Sequence, residues 1–223
     1  MSASHAPSLA ATMLALGALA CGSTGDAPTG AKAVAFTTYE GVFATGTQSG
    51  IVQLVSGSPA TGSLRVTGGM SIPLLGNYDA SASTFSVSGS GYVLRATVDA
   101  NRQVAGTLSG SGASTSGVVA AVALTQGTTP LKVCGTYTGT SAGRLNAVIS
   151  GTTIAALTVD AAGIGLNLTG SVSGNNVTFG WRPMGSSGGV GSGTATGTIA
   201  GTSASGTWSL STGDHGTWAA AGC

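Results

Sequence analysis

Acid–base chemistry has few places to reside in this chain. Two histidines, His5 and His215, and six acids, Asp26, Glu40, Asp79, Asp99, Asp160 and Asp214, are all that 223 residues supply. Only Asp214 and His215 are neighbours, and together they would read as a general base with an orienting carboxylate. Adjacent side chains diverge, however, and the surrounding TGDHG (residues 212–216) has the composition of a turn. A Ser-His-Asp triad in the mature chain would have to use His215, and no G-x-S-x-G elbow stands at a strand-to-helix junction. Glycoside hydrolysis needs two carboxylates flanking one bond, and scattered acids offer few pairs. Metal sites need clustered His, Cys or carboxylates, and no such spacing occurs. The run GSSGGVGSG (residues 185–193) lacks the Lys-Ser/Thr of a phosphate loop and opens no helix. The sequence therefore assigns no catalytic, cofactor-binding or metal-binding residue and no cofactor. The weak candidates for ligand contact are Trp181 and Arg182, at a strand end just before Pro183, together with the 185–193 loop.

Charge excludes another class. Lys and Arg number 7, the net charge is +1, and the basic residues are spread from Lys32 to Arg182. A nucleic-acid groove needs them clustered. Charged residues are 6% of the chain and Gly numbers 39, so Ser, Thr and Gly supply most of the polar surface.

The elements that would position these residues are short strands. GTWSLS from Gly206 alternates strictly, with Trp208 and Leu210 on one face and Thr207, Ser209 and Ser211 on the other. If residues 212–216 form the loop, Leu210 opposes Trp218, and Trp208 and Trp218 share one core face. Further hairpins are expected with turns near Gly174-Asn175-Asn176 and Asp99-Ala100-Asn101, where Asn and Gly tolerate the backbone a tight turn needs. Outside the first 20 residues no window shows helical periodicity.

The pattern repeats. Gly41 matches Gly135 and Phe43 matches Tyr137, and the same offset of 94 relates Gly57 to Gly151, Gly76 to Gly170, and Thr84-Phe85 to Thr178-Phe179. Farther on, VAGTLSGSGAS from Val104 resembles ATGTIAGTSAS from Ala195, at an offset of 91. The expected architecture is all-β: two tandem small antiparallel up-and-down barrels from an internal duplication, with closure removing exposed edges. One larger closed barrel, or a β-sandwich made of both repeats, is the alternative. Residues 34–124 and 133–223 are the two repeats, with residues 125–132 as linker. A transmembrane barrel would need strands of about 9 to 11 residues and two aromatic girdles, which this sequence lacks. Cys134 falls in the first strand of the second repeat and Cys223 in its last. A closed meander makes those strands neighbours, so the two cysteines are expected to form a disulfide on the outer face.

Leu9 to Ala20 (LAATMLALGALA) is uncharged and suits the apolar segment of a signal peptide, too short to span a bilayer as a mature helix. Ala18-Leu19-Ala20-Cys21 resembles the lipobox of bacterial lipoproteins, with Ala18 where that family prefers Leu. The resemblance covers residues 1–21 and implies a signal peptide over residues 1–20, lipidation of Cys21 and a membrane anchor. Residues 21–33, including GSTGDAPTGAK, then read as the lipidated cysteine and a flexible tether. It also gives Cys21, left over from the Cys134–Cys223 pair, a use. The sequons at Asn167 and Asn176 carry no weight in a bacterium. The resulting expectation is a non-catalytic lipoprotein of the bacterial cell envelope, at the outer membrane or cell surface, with a secreted or periplasmic protein as the alternative. It would act as a binding or surface-interaction module. The membrane, and a protein, glycan or small apolar ligand, would be its partners; nucleic acid would not. A carrier of a small apolar ligand is the second reading and a secreted hydrolase the third.

Overall fold

The computed structural model describes residues 36–110, 116–161, 163–182 and 192–223, with the backbone alone for residues 181 and 182. The signal peptide, Cys21, the tether and most of the 185–193 loop lie outside the described residues. Period-two patterning produces strands throughout the rest. The first barrel comprises β1 Thr38–Thr45, β2 Ser49–Val55, β3 Ala60–Val66, β4 Ser71–Asp79, β5 Thr84–Gly89, β6 Tyr92–Val98, β7 Gln103–Ser109 and β8 Gly117–Ala123. The second comprises β9 Leu131–Gly139, β10 Gly143–Ser150, β11 Thr153–Asp160, β12 Gly165–Ser173, β13 Asn176–Arg182, β14 Gly193–Ala200, β15 Ser203–Leu210 and β16 His215–Gly222. In each, eight antiparallel strands follow one another in chain order, and the last pairs with the first: β8 with β1, and β16 with β9. The two tandem barrels are those expected from the repeat, and the second begins at Leu131, within the stretch read as linker.

Eight strands give an interior just wide enough for side chains to fill, and both interiors are filled. Phe43, Leu54, Leu64, Phe85, Leu94 and Leu108 lie in the first; Leu145, Ile154, Leu168, Phe179, Trp208 and Trp218 lie in the second. Glycine makes room for the rings. Phe43 pairs across strands with Gly50, and Tyr137 with Gly143. A Cβ on either glycine would come within 2.7 Å of the facing ring. This shared seat establishes Phe43 and Tyr137 as equivalent positions.

The repeat match at offset 91 is overturned. Val104 lies in β7, the seventh strand of its barrel, whereas Ala195 lies in β14, the sixth of its own. The counterpart of VAGTLS from Val104 is ASGTWS from Ala204 in β15, at an offset of 100. The longer connections of the second repeat, between β13 and β14 above all, shift the spacing. Gly-rich strands of like parity made the false match look sound.

The register of the last hairpin also differs from expectation. Gly206 opposes Trp218 and Trp208 opposes Gly216, so Leu210 does not face Trp218. The turn is tighter than five residues: Leu210 N donates to Asp214 O at 2.8 Å and Gly213 N to Leu210 O at 3.0 Å. His215 is thereby the first residue of β16. Both tryptophans face the core as the alternation implied. Each indole N–H donates to a strand carbonyl, Trp208 to Thr138 O at 3.1 Å and Trp218 to Thr196 O at 3.2 Å.

Cys134 and Cys223 are bonded, 89 residues apart in sequence, joining β9 to the residue that follows β16.

The barrels are not beads on a string. Outward residues Val42 and Ala44 of β1 and Val118, Ala120 and Val122 of β8 pack with Val148 of β10 and Ala155, Leu157 and Val159 of β11 in a third buried cluster. These strands are therefore buried on both faces, as continuous apolar runs such as GVVAAVA require. Each Val or Leu so buried contributes about 1.5 to 3 kcal/mol relative to exposure. Polar groups complete the seam. Asn146, fully buried, donates from Nδ2 to Phe43 O at 2.7 Å, Arg144 donates to Thr47 O at 2.8 Å, and Lys132 pairs with Glu40.

Candidate functional site

Hairpin connectivity brings several of the sequence candidates to one end of the second barrel. There the chain turns between β9 and β10, β11 and β12, and β15 and β16, and β13 ends at Trp181-Arg182. The side chains of Trp181 and Arg182 lie outside the described residues. Between these turns the barrel mouth holds a cavity of about 170 Å³. Leu145, Leu166, Trp208, Leu210 and Ile164 make its apolar wall, and Tyr137, Ser141, Thr158 and Asp160 its polar part. Ile164 is an exposed large apolar residue at the rim.

Local geometry fixes the polar groups. Asp160 closes the β11–β12 turn, its Oδ1 accepting from Ile164 N at 2.9 Å. The Tyr137 ring stands edge-on to Trp208, centroids 5.7 Å apart. Burial pushes the Tyr137 phenol above its ordinary range; the Asp160 charge pushes the same way and a bond with Ser141 opposes them. The phenol is therefore a neutral donor at physiological pH. Asp160 is the one acid among the described residues of the wall, so these residues offer an apolar seat with a donor and an acceptor, and no paired carboxylates.

A second concavity lies between the barrels. A cavity of about 250 Å³ is lined by Thr97, Asp99, Gln103, Val104, Ala105 and Ala120 from one barrel and by Ala155, Asn167, Leu168 and Thr169 from the other. Asn167 is 3% exposed, and neither its Nδ2 nor its Oδ1 has a hydrogen-bond partner. Gln103 Oε1 is buried and unpartnered in the same way. The Asp99 carboxylate caps its turn, accepting from Asn101 N and Gln103 N at 2.9 Å each. In the sequence Asn167 appeared as the head of a sequon. Its burial depends on the second barrel, and the signal that could have revealed it is the unbroken apolar run of β8, which demands a cover.

The Asp214-His215 pair forms no dyad. The Asp214 carboxylate accepts from Thr212 Oγ1 at 2.8 Å, and His215 Nδ1 lies 3.0 Å from Gly213 O, each engaged within the turn. Among the described residues no group of three or more His, Cys, Asp or Glu could hold a metal ion.

No family model matches the chain, and no curated protein does. Two solved structures show a distant likeness. Intact Ap-TbpB, with its N and C lobes, aligns over 84% of this chain and 77% of that one, at 9% identity and a TM-score of 0.31. Isotype 1 transferrin binding protein B from serogroup B Neisseria meningitidis aligns over 86% of this chain and 45% of that one, at 11% identity and a TM-score of 0.30. At these scores the likeness assigns neither a family nor an activity to this chain.

Proposed function

We propose that the chain is a non-catalytic lipoprotein of the cell envelope whose folded part serves as a binding or surface-interaction module. The observation that carries this reading is the filling of both barrels by their own side chains, which leaves recognition to outer surfaces and shallow concavities. The scarcity of acid–base groups points the same way. The Cys134–Cys223 bridge supports an oxidising compartment, and Cys21 behind a signal peptide would carry the lipid that holds the module at a membrane. Its partners would be the membrane and a protein, glycan or small apolar ligand.

Intact mass of the membrane-extracted protein tests the address. A mature chain starting at Cys21 with added diacylglycerol mass is expected, and an unmodified soluble chain overturns the anchor. For the non-catalytic role, ester, glycoside and peptide substrates should turn over no faster with the wild type than with His215→Ala or Asp160→Asn. A turnover abolished by either substitution would make the protein an enzyme. The second reading, a carrier of a small apolar ligand, is favoured by the cavity at the mouth of the second barrel. Saturable quenching of Trp208 by such a ligand, lost on filling the mouth with Ser141→Trp, is its expected signature.

A further inference from the structure

The mouth of the second barrel changes in polarity along its axis. Asp160 pairs with Gly143 at the rim, and one row deeper Leu145 and Leu166 flank Thr158. With Trp208 and Leu210 these side chains line one cavity, so a carboxylate stands over an apolar seat. Its Oδ1 accepts from Ile164 N at 2.9 Å, and no ion pair among the described residues involves it. That charge selects what can cover the seat. A wholly apolar ligand would strip water from a carboxylate and return nothing. An anion would be repelled at close range. A metal ion needs several oxygen ligands, and Asp160 is the one acid among the described lining residues. An ammonium group both neutralises the charge and donates to it, and such charge-assisted bonds are the stronger kind. Tyr137 and Trp208, with their planes at 86°, line the same mouth, and aromatic rings attract organic cations. The cavity sets the size. Its volume of about 170 Å³ is close to the roughly 150 Å³ that accommodates a benzene ring, so an apolar body of about six carbons fits. The rows set the direction: head at the rim, apolar body inward. A lysine side chain of a protein would enter ammonium first and reverse that order.

We propose that the mouth of the second barrel binds a small primary alkylammonium, its apolar body against Leu145, Leu166 and Trp208 and its ammonium on Asp160. The proposal rests on the carrier reading and names the class of ligand that reading leaves open.

The test is a titration of the intact, isotope-labelled protein near neutral pH with cyclohexylamine, which is protonated there as a lysine side chain is. Cyclohexanol, its neutral counterpart, and cyclohexanecarboxylate are titrated separately. The readouts are the backbone amide of Ile164, which donates to Asp160, and the indole N–H of Trp208. The amine should shift both saturably at a Kd of about 1 mM. The alcohol should bind about tenfold more weakly, as loss of a hydrogen bond to a charged group implies, and the carboxylate should not saturate. Asp160→Asn keeps an acceptor for Ile164 N and should lower the amine to the affinity of the alcohol. Equal affinity of amine and alcohol for the wild type, a comparison that needs no variant, overturns the proposal and leaves the carrier of an apolar ligand standing. Undiminished amine binding in Asp160→Asn does the same. The peptide Gly-Lys-Gly should not saturate; if it binds as tightly as cyclohexylamine, the seat takes a protein side chain and the free amine is ruled out as its ligand. Shifts that stay linear for all four up to about 100 mM, far above the expected Kd, remove the ammonium site and the carrier together.

Discussion

Equivalent ends of the two barrels share a backbone plan and differ in what fills it. Gly50 pairs with Val66 in the first barrel and Gly143 with Asp160 in the second, so Val66 and Asp160 occupy one position. One layer deeper, Leu64 stands where Thr158 stands. Phe43 corresponds to Tyr137, and Tyr92, at the head of β6, corresponds to Gly193 at the head of β14. The first barrel thus closes this end with Phe43, Val66 and Tyr92 packed on its core, Tyr92 OH donating to Gln48 Oε1 at 3.1 Å. The second trades apolar volume for a phenol, a hydroxyl, a carboxylate and a cavity. The two repeats share the frame, and a handful of inward positions separate a plug from a mouth.

The second barrel also carries the bridge that the first lacks. It closes an 89-residue separation, worth about 4 to 5 kcal/mol on the chain-entropy model. Cys134→Ala combined with Cys223→Ala should lower stability by that amount in denaturant titration. Amide hydrogen exchange should quicken at Val177 and Trp218 and change far less at Leu64 and Leu94. Equal quickening in both would mean that the barrels unfold as one cooperative unit. Coupling across the seam is tested by Leu157→Ala. Leu157 is fully buried between the barrels, and its truncation should cost about 3 kcal/mol. Because Leu157 lies on the face the two barrels share, this variant, unlike loss of the bridge, should quicken amide exchange at Leu64 and Leu94 as well as at Val177 and Trp218.

How much of this was legible follows from which face each residue serves. Trp208 and Trp218 announced themselves as core because strict alternation put them on one face, and Tyr137 paired with Phe43 because ring and glycine recur together. Cys134 and Cys223 could be joined from the closure of the meander alone. Asn167 and Gln103 could not be found in this way. Both sit at outward parity, where a polar residue normally meets water, and only a second barrel against that face buries Asn167 and the Oε1 of Gln103. The apolar strand β8 held the clue, since Val118, Ala120 and Val122 face outward and need a partner. The register of the last hairpin was misjudged because composition marks a turn without saying how many residues it consumes.

The plug of the first barrel can be opened to resemble the mouth of the second. Tyr92 is half-buried against the core and hydrogen-bonded to Gln48. Tyr92→Ala removes both the ring and the bond, at about 2 kcal/mol, below the figure for fully buried aromatics because part of the ring is in water. Denaturant titration reads the loss, and a new affinity for small apolar dyes would show that filling alone separates the two ends.

The smallest change runs in the other direction. Tyr137→Phe installs in the mouth the residue type that the first barrel has at that position. Packing against Trp208 and Gly143 is retained, so stability near neutral pH should be almost unchanged. The difference appears in alkali. The Tyr137 phenol has its pKa raised in the folded state, chiefly by burial and also by the Asp160 charge. The folded protein therefore holds this proton more tightly than the unfolded chain does. The associated stability is fully present below the unfolded tyrosine pKa near 10 and is lost as pH rises through the folded value. Wild type should lose stability above about pH 10, and Tyr137→Phe should lose less. Part of the decline should survive in the variant, because Tyr39 in the first barrel is also raised, by burial first and by its neighbour Tyr78 next. A pH profile identical in the two proteins would mean that the mouth is wet enough to ionise Tyr137 freely. The contrast between a dry plug and a half-dry mouth would then have to be redrawn as one between a plug and an open, water-filled end.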